Sequence, residues 1–352
     1  MRANVTTPDG ATMRVVRFEG ADAEWDELVL ACGGGSFCHL SGWRHVLEGA
    51  LGHRTLRFAA LDERGEAVGI LPLARVRSRL FGDFLLSMPF LSYGGPLGST
   101  PARAALVAAA VEEARATGVD LLELRSRERL PGDLAVSERK LTVLKALPST
   151  AEDLWENGLR SKLRSQVRRP QKEGMTAHFG VDVLPRFYGV FARTMRDLGT
   201  PVLPRRFFDA VADRFPREAV VGVIEHRGEP VAAGFGFAWG GEVEITWAGA
   251  LREHAASAPN MLLYWSFMEE SIRRRATVFN FGRCSRDSGT HRFKMQWSGE
   301  ERPLPWAQWS KSGVATTPSP DSAKFRLATR VWSRLPMPIA NAIGPRISRL
   351  LP

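Results

Sequence analysis

The sequence predicts a mixed α/β protein that contains two copies of one domain, followed by a basic amphipathic tail. A strand–turn–strand unit occurs twice, as LDERGEAVGILPLARV at 61–76 and as IEHRGEPVAAGFGFAW at 224–239. Both units turn at an Arg-Gly-Glu triplet between runs that are typical of strands. The length of 352 residues suits two domains of roughly 150–170 residues.

The elements after each hairpin repeat in the same order. They are a strand, a helix that begins with proline, and a second strand: 83–91, Pro101 and 119–126 in the first copy, and 242–251, Pro259 and 277–283 in the second. Proline suits the first helical position, where an N–H has no intrahelical acceptor. We therefore expect two mixed α/β domains, 1–150 and 151–315, and a separate tail at 316–352. Arg125 and Arg283 then fall at equivalent strand ends.

Composition and cysteine content limit the class of protein. Hydrophobic residues make up 44% of the chain and charged residues 24%, as in ordinary globular domains. Cys32, Cys38 and Cys284 form no CxxC pair, which favours a reducing compartment over a disulfide framework or a zinc site. The first residues lack the apolar run of a signal peptide, and no window approaches 18 uninterrupted apolar residues. We therefore expect a cytoplasmic protein without a bound metal.

The net charge of +10 is concentrated in two segments. The run RSKLRSQVRRPQK at 160–172 contains no acidic residue. In the segment 318–352, Asp321 is the single acidic residue. Such segments attract the phosphates of nucleic acids, anionic lipids or phosphorylated carriers, although a basic face without such a partner is also common. Apolar residues in the tail are mixed with spaced arginines and broken by prolines. The tail therefore either lies on a membrane surface or packs along the second domain.

Five segments are long and distinctive: SRLFGDFLLSMPFLSYGGPLG (78–98), LRSKLRSQVRRPQKEGM (159–175), FARTMRDLGTP (191–201), PNMLLYWSF (259–267) and FNFGRCSRDSGTHRFKMQW (279–297). The chain resembles, over nearly its whole length, the FemAB-related proteins associated with PEP-CTERM/exosortase systems. These belong to the Fem-like branch of the GNAT acyltransferase fold. The resemblance implies tandem GNAT-like (Fem-type) domains and a role near cell-envelope and exopolysaccharide loci. The chain departs from the family pattern at Asn280, Met295 and Ser298, where the pattern has Asp, Lys and Gly.

The resemblance implies N-acyl or aminoacyl transfer to a lipid- or sugar-linked amine of the cell envelope, at the inner face of the cytoplasmic membrane. Fem-like enzymes take the group from aminoacyl-tRNA and GNAT relatives take it from CoA, and neither needs a tightly bound cofactor. The GNAT phosphate loop Gln/Arg-x-x-Gly-x-Gly/Ala is missing before Pro259, where the segment reads LREHAASAPN, so CoA is disfavoured. Two alternatives stay open: an acyl-CoA-dependent N-acyltransferase for a long-chain amine, and a non-catalytic GNAT-fold binding protein of the exosortase or exopolysaccharide system.

Four residues are candidates for the chemistry. Lys294 stands where Fem-like proteins carry Phe-Lys, and its cation would stabilise developing negative charge. Asp287 and His291, in the same loop, are candidates for the amine proton, with an ordinary loop position as the alternative. Glu244 lies on a strand where the resemblance to GNAT enzymes implies a base. Alternation puts Glu242, Glu244 and Thr246 on one strand face, which favours a solvent-facing position instead.

Candidate substrate-binding residues lie on four further segments. They are Arg283 at a strand end, Arg196, Asp197 and Thr200 after an amphipathic helix, Tyr264 and Asn260 on the helix that begins at Pro259, and Lys162 and Arg169 in the basic run. Three of these sets also have explanations without a ligand. Arg283 would form an ion pair, and the segment with Arg196, Asp197 and Thr200 would be a C-cap turn. Tyr264 would be a core residue, and Asn260 would order the start of its helix. If the basic run is helical, Lys162 and Arg169 share a face that would contact tRNA or a pyrophosphate, or that simply faces solvent.

Overall fold

The computed structural model describes residues 2–6, 12–313 and 323–351. Its contacts divide the chain into two compact units. The first unit consists of Met1–Lys140, Pro303–Pro318 and Arg349–Pro352, and the second unit of Leu141–Arg302 and Ser319–Ser348. The linker predicted at 316–322 and the boundary predicted near residue 315 lie outside the described residues.

The strands of the described residues are, in chain order, β1 (Arg2–Thr6), β2 (Thr12–Arg17), β3 (Arg54–Leu61), β4 (Ala67–Ser78), β5 (Gly82–Leu86), β6 (Leu97–Gly98), β7 (Leu121–Leu124), β8 (Ala135–Ala146), β9 (Thr176–Phe179), β10 (Ala219–His226), β11 (Glu229–Trp239), β12 (Glu242–Ala250), β13 (Val278–Ser285) and β14 (Glu300–Ser310).

The α-helices of the same residues are α1 (Asp22–Ala31), α2 (Gly42–His45), α3 (Thr100–Thr117), α4 (Ala151–Asn157), α5 (Ser161–Lys172), α6 (Leu184–Asp197), α7 (Arg205–Arg214), α8 (Pro259–Arg273), α9 (Gly289–Met295), α10 (Ala323–Trp332) and α11 (Met337–Ser348). A π-helix occupies Val46–Leu51, and short 3₁₀ helices occupy Phe37–His39, Val181–Val183 and Arg252–Ser257.

The first unit is built on a mixed sheet with the strand order β1-β2-β3-β4-β5-β7-β14. Neighbouring strands run antiparallel except β5 and β7, which are parallel. Helix α3 begins at the N-cap Ser99 and packs its alanines against the sheet. Small side chains are needed there, because a Cβ at Gly69 of β4 would lie 2.8 Å from the Cβ of Ala102. The last strand, β14, pairs with β7 from Ala307↔Leu124 to Ser310↔Leu121.

Because β14 pairs with β7, the first unit is built from segments that are not continuous in the sequence. The sequence predicted a boundary near residue 150, whereas the contacts divide the chain between Lys140 and Leu141 and assign Pro303–Pro318 to the first unit. Strand pairing over such a separation leaves no local signal, because β14 has the same alternating pattern that a strand of the second unit would have.

The second unit contains a mixed sheet with the strand order β8-β13-β12-β11-β10-β9. Strands β12 and β13 are parallel, and β9 to β12 run antiparallel. Helices α6 and α8 cover opposite faces. On β11, Gly234 lies against the Phe267 ring of α8, while the next residue, Phe235, packs its ring 5.6 Å from Phe187 of α6. Successive residues of a strand point to opposite faces, so the central strands are buried on both sides.

Both units contain the predicted order of hairpin, strand, helix and strand. In the first unit the order is β3, β4, β5, α3, β7, and in the second unit it is β10, β11, β12, α8, β13. The strand that follows the hairpin and the strand after the helix are parallel neighbours in both units, β5 with β7 and β12 with β13. In the first unit the two-residue strand β6 also lies between β5 and α3. The predicted mixed α/β class with a repeated unit is therefore confirmed.

The tail packs along the second unit as far as Ser348, and it also leaves apolar side chains exposed. The Ser348 hydroxyl donates to the carbonyl oxygen of Val202 at 2.9 Å, and Arg196 of α6 donates to the carbonyl oxygen of Leu335 at 2.9 Å. Leu327, Val331 and Ile339 remain exposed, Leu327 to 61%. Within the described parts of the chain, no helix is long and apolar enough to cross a membrane.

Candidate functional site

Two parallel strands of the second unit separate after a short paired stretch. The register of β12 and β13 runs from Glu242↔Val278 to Glu244↔Asn280, yet β12 continues to Ala250 and β13 to Ser285. Gly282 lies just beyond the last pair, with a φ of 70°. A Cβ there would lie 2.5 Å from the carbonyl oxygen of Ile245, so this close approach requires glycine. Ligands of α/β sheets bind at such carboxyl ends of parallel strands.

Asn280 organises the polar groups where the strands separate. It has no solvent exposure. Its Oδ1 accepts hydrogen bonds from the Thr142 hydroxyl at 2.5 Å and from the Gly282 N–H at 2.8 Å. Its Nδ2 donates to Glu242 Oε1 at 2.7 Å and to Glu244 Oε2 at 3.3 Å. The amide is therefore oriented by two donors on one side, a hydroxyl and a backbone N–H, and by two carboxylates on the other.

The sequence did not identify Asn280, Glu242 or Thr142 as members of a site. Two signals were available. Asn280 stands where the family pattern has Asp, and strand alternation places Glu242 on the same face as Glu244. Thr142 approaches Asn280 from β8, which is 138 residues away in the chain, so no local motif connects them.

Glu244 is only 1% exposed, so the prediction of a solvent-facing strand face is wrong at this position. The reason is the pair of helices, because both α6 and α8 contact β12. A strand covered on both faces does not show which of its faces a polar residue occupies. Thr246 donates to Glu244 Oε1 at 3.3 Å, which adds to the bond from Asn280.

Lys294 comes to the same place from helix α9. The Ser288 hydroxyl caps this short helix by accepting the His291 N–H. The Lys294 side chain is 3% exposed, and its ammonium donates to the carbonyl oxygens of Gly282 at 2.6 Å and Arg283 at 3.0 Å. An ammonium has three donors. Among the described residues, the third has no hydrogen-bond acceptor.

Burial lowers the pKa of Lys294 from 10.5 to about 8. Electrostatic interactions with Cys284 and with the Glu244 carboxylate oppose this shift, and the charge of Arg283 adds to it. Lys294 is therefore still mostly cationic near neutral pH. A buried cation with one uncommitted donor, close to a buried carboxylate, suits the stabilisation of negative charge on an oxygen atom.

Asp287 lies in the turn before α9, and His291 lies in the first turn of that helix. His291 is buried, its Nδ1 accepts the Asp287 N–H at 3.0 Å, and its Nε2 lies 2.9 Å from Glu301 Oε1. Asp287 has a φ of 59° and an exposed side chain. Both ring nitrogens of His291 are thus engaged, and the Asp287 carboxylate lies at the surface. Arg283 is half-buried, and its carbonyl oxygen binds Lys294.

The remaining predicted substrate-binding residues lie on other elements of the second unit. Arg196 lies 2.6 Å from Asp197, whose carbonyl oxygen accepts a hydrogen bond from Arg252, and Thr200 is exposed after α6. Their contacts join α6 to the tail and to the segment before α8.

The two predicted residues of α8 differ in position. Tyr264 packs between Phe281 and Phe293, with ring centroids 5.7 and 4.9 Å away. It therefore supports both elements that hold Lys294 in place. Asn260 is half-buried in the first turn of the helix.

The basic helix α5 is largely solvent-exposed. Its exposed cations include Lys162 and Arg169, and Arg169 lies 3.4 Å from Glu173. Arg164 differs, because it donates to the carbonyl oxygens of Trp155, Glu156 and Leu159 and so closes the end of α4. No group of three or more His, Cys, Asp or Glu residues in the described part of the chain could hold a metal ion.

Comparison with known proteins found one similar family model and several solved structures with a similar fold. Residues 157–295 match the family described as the acetyltransferase (GNAT) domain. The matched segment lies within the second unit and contains Glu244, Asn280 and Lys294, so this part of the chain is similar to a GNAT domain. No curated protein matches the chain.

Solved structures share the fold over most of the chain. FemX is similar with a TM-score of 0.64 and 14% identity, covering 84% of this chain and 97% of FemX. A tandem GNAT protein from the clavulanic acid biosynthesis pathway has a TM-score of 0.53 and 13% identity, covering 86% of this chain and 100% of that one. The C-terminal domain (DUF2156) of a protein from Agrobacterium fabrum, described as a lysylphosphatidylglycerol synthetase, has a TM-score of 0.55 and 14% identity, with coverages of 83% and 93%. These likenesses show the fold.

Proposed function

We propose that the second unit transfers an activated acyl group to an amine, with the Lys294 ammonium stabilising the oxyanion of the tetrahedral intermediate. The observation that carries this proposal is the uncommitted third donor of a buried cation where β12 and β13 separate. The neutral amine attacks the acyl carbonyl and a C–N bond forms. The carbonyl oxygen gains negative charge and accepts a hydrogen bond from Lys294. The buried Glu244 carboxylate is our candidate for receiving the amine proton.

We propose aminoacyl-tRNA as the donor. In that reaction the ester bond to the ribose breaks, and the ribose oxygen leaves with a proton. Helix α5 supports a polyanionic donor, because five cations of this segment are exposed: Arg160, Lys162, Arg168, Arg169 and Lys172. The segment before α8 supports it as well. The N–H groups of His254, Ala258 and Met261 already donate to backbone carbonyls, so they are not available to a pyrophosphate.

The acceptor in this proposal is a lipid- or sugar-linked amine of the cell envelope or of an exopolysaccharide. The reaction then takes place at the inner face of the cytoplasmic membrane, next to components of an exosortase or exopolysaccharide system. The resemblance of the sequence to FemAB-related proteins supports this acceptor class. The exposed Leu327, Val331 and Ile339 on a tail rich in arginine support peripheral membrane contact.

A second candidate donor is acyl-CoA. The match of 157–295 to the acetyltransferase (GNAT) domain favours it, since that class of domain uses acyl-CoA. In this case a long-chain or other amine would be acylated through the same Lys294 chemistry.

The donor can be identified with purified full-length protein and isotope-labelled donors in parallel. One set contains charged aminoacyl-tRNAs and the other contains acyl-CoAs of several lengths, each with cell-envelope lipid extract as acceptor. We expect label to arrive from the tRNA set. Label from CoA alone would contradict the tRNA assignment, and label from neither would favour a binding role without transfer.

The contribution of α5 to tRNA binding can be measured separately. The double variant Lys162→Gln/Arg169→Gln should weaken tRNA binding and reduce the slope of log affinity against log salt by about 2. Arg214→Gln/Arg217→Gln, which removes two exposed arginines elsewhere in the same unit, serves as the matched control. Equal loss in both double variants would mean that net charge, rather than α5, attracts the donor.

A further inference from the structure

A strongly basic pocket lies in the first unit. It has a volume of about 340 Å³ and is lined by Leu51, Gly52, His53, Arg54, Arg75, Arg77, Arg349 and Leu350. The strand register explains how the arginines come together. Arg54 of β3 is paired with Arg75 of β4, and Arg77 follows two residues later on the same face. Four guanidinium groups therefore border one pocket.

The positive charge of this pocket is only partly neutralised. Asp83 of β5 lies 2.5 Å from Arg75 and 3.6 Å from Arg77, so one carboxylate serves two arginines. Neither Arg54 nor Arg349 forms an ion pair with a carboxylate among the described residues. Like charges that face one pocket repel one another, so an anion that enters it gains the attraction of at least two uncompensated guanidinium groups.

An unpartnered buried donor in the wall gives a second, independent indication of a ligand. His53 is 6% exposed, and its ring donates a hydrogen bond to the backbone of Arg349. Among the described residues, neither its Nε2 nor the buried Nε of Arg349 has a hydrogen-bond partner. Because the other ring nitrogen is the donor, His53 Nε2 is an acceptor and does not bind a phosphate oxygen. The Arg349 Nε–H is a donor, and buried polar groups of native proteins are normally paired, so this unpaired donor indicates a missing acceptor such as a phosphate oxygen. Burial first, and then the Arg349 charge, lowers the pKa of His53 to about 4, so the imidazole itself is neutral.

An apolar hairpin tip projects beside the pocket. Strands β4 and β5 are joined at Arg79–Phe81, and Leu80 is 83% exposed while Phe81 is 37% exposed. The tip is ordered, because the Ser78 hydroxyl accepts the N–H groups of Leu80 at 3.1 Å and Phe81 at 3.2 Å. Arg77 precedes Leu80 by only three residues, so at most roughly 10 Å of chain separates them. A cationic pocket next to an exposed Leu-Phe tip is the arrangement expected of a surface that binds the interfacial layer of a membrane.

We propose that this pocket binds the headgroup phosphate of an anionic phospholipid while Leu80 and Phe81 insert into the interfacial layer of the bilayer. Arg54 and Arg349 contact the phosphate, and Arg77 and Arg79 lie at headgroup level. This membrane contact belongs to the first unit and is independent of the acyl-transfer chemistry of the second unit. It is also separate from the exposed apolar residues of the tail.

Vesicle co-sedimentation of the full-length protein tests the proposal without any transfer reaction. We expect the protein to bind vesicles of phosphatidylcholine and phosphatidylglycerol, and to bind pure phosphatidylcholine at least about tenfold less. Each of Arg54→Gln and Arg349→Gln should lower binding about fivefold, the contribution expected of one cation near an anionic surface. Leu80→Asp should lower binding about tenfold, because it removes apolar burial and adds a like charge to an anionic surface.

Matched variants separate this surface from general effects. Leu30→Asp replaces another exposed leucine of the first unit, and Arg139→Gln removes another exposed arginine. Both should bind like the wild type. The losses at Leu80, Arg54 and Arg349 should persist when Leu327→Asp is also present in the tail. Binding that is equal on both vesicle types, or unaffected by the three pocket and tip variants, would overturn the proposal. So would binding of glycerol phosphate in the pocket without any partition to vesicles.

Discussion

Replacing Lys294 by methionine is expected to lower the rate of acyl transfer about 10²–10³-fold, the usual loss when one oxyanion donor is removed. Methionine fills nearly the same space but cannot donate to an oxyanion. The carbonyl oxygens of Gly282 and Arg283 lose their partner in the variant. The effect should appear in the turnover rate rather than in donor affinity, because the third donor has no acceptor until charge develops.

The same variant should remain folded, with a stability near that of the wild type. Folding lowers the pKa of Lys294 from 10.5 to about 8, so the buried charge disfavours the folded state by about 3 kcal/mol at neutral pH. Removing the lysine removes this free-energy cost of burying a charge. The two unpaired carbonyl oxygens then offset the gain, at about 1–3 kcal/mol for each buried group.

Urea titration and single-turnover kinetics on one preparation separate the two effects. Wild-type stability should rise relative to the methionine variant between pH 8 and 10.5, since the unfolded chain binds the additional proton in that window. Lys311→Met, which replaces an exposed lysine, should match the wild type in both measurements. Full transfer activity in the Lys294→Met protein would remove this residue from the site.

Replacing Asn280 by aspartate is expected to destabilise the protein by about 3–5 kcal/mol at neutral pH, as for an uncompensated buried charge. The amide now donates to both Glu242 and Glu244. An ionised aspartate would instead place a third carboxylate among them, in a position without solvent exposure. A protonated aspartate could donate to only one of the two.

The loss should depend on pH with a defined sign. Burial and the neighbouring carboxylates raise the folded-state pKa of the new aspartate above its unfolded value of about 3.9. The variant therefore loses stability as pH rises from about 4, and the difference from the wild type should shrink toward pH 4. Urea titrations at pH 7.5 and 5 measure this difference.

Asn157→Asp provides the matched control. Asn157 also donates to a carboxylate, Asp153 Oδ1, at 2.7 Å, but it is exposed at the end of α4. The same change in charge should cost only about 0.5 kcal/mol at this surface position. Similar small losses at both positions would show that the Asn280 site is open to water and that its amide is not required.

Local pattern was sufficient to predict the repeated architecture. The two Arg-Gly-Glu hairpins, the prolines that begin α3 and α8, and the strands after them all form as their sequences indicate. The segment 279–297 was predicted as a strand followed by a loop with candidate site residues. The strand forms, but the predicted loop contains helix α9, which brings Lys294 close to Gly282. The chemical roles of Lys294 and Glu244 stay predictions.

Contacts between distant residues could not be predicted in this way. Thr142 reaches Asn280 across 138 residues, and Gln308 of β14 donates to Glu123 of β7 across 185 residues. The burial of Glu244 depends on helices α6 and α8, which no pattern within β12 can reveal. For the same reason the partner of His291, Glu301, was not foreseen.

The pH dependence of the single-turnover transfer rate tests most directly whether Lys294 acts as a cation. With the donor that transfers label, the wild-type rate should rise as the acceptor amine loses its proton. Above about pH 8, deprotonation of Lys294 should stop this rise and, once the amine is fully neutral, turn it into a decline. The slow residual reaction of Lys294→Met should lack that alkaline decline. A wild-type rate that keeps rising to pH 10, or the same decline in both proteins, would contradict the oxyanion role assigned to Lys294.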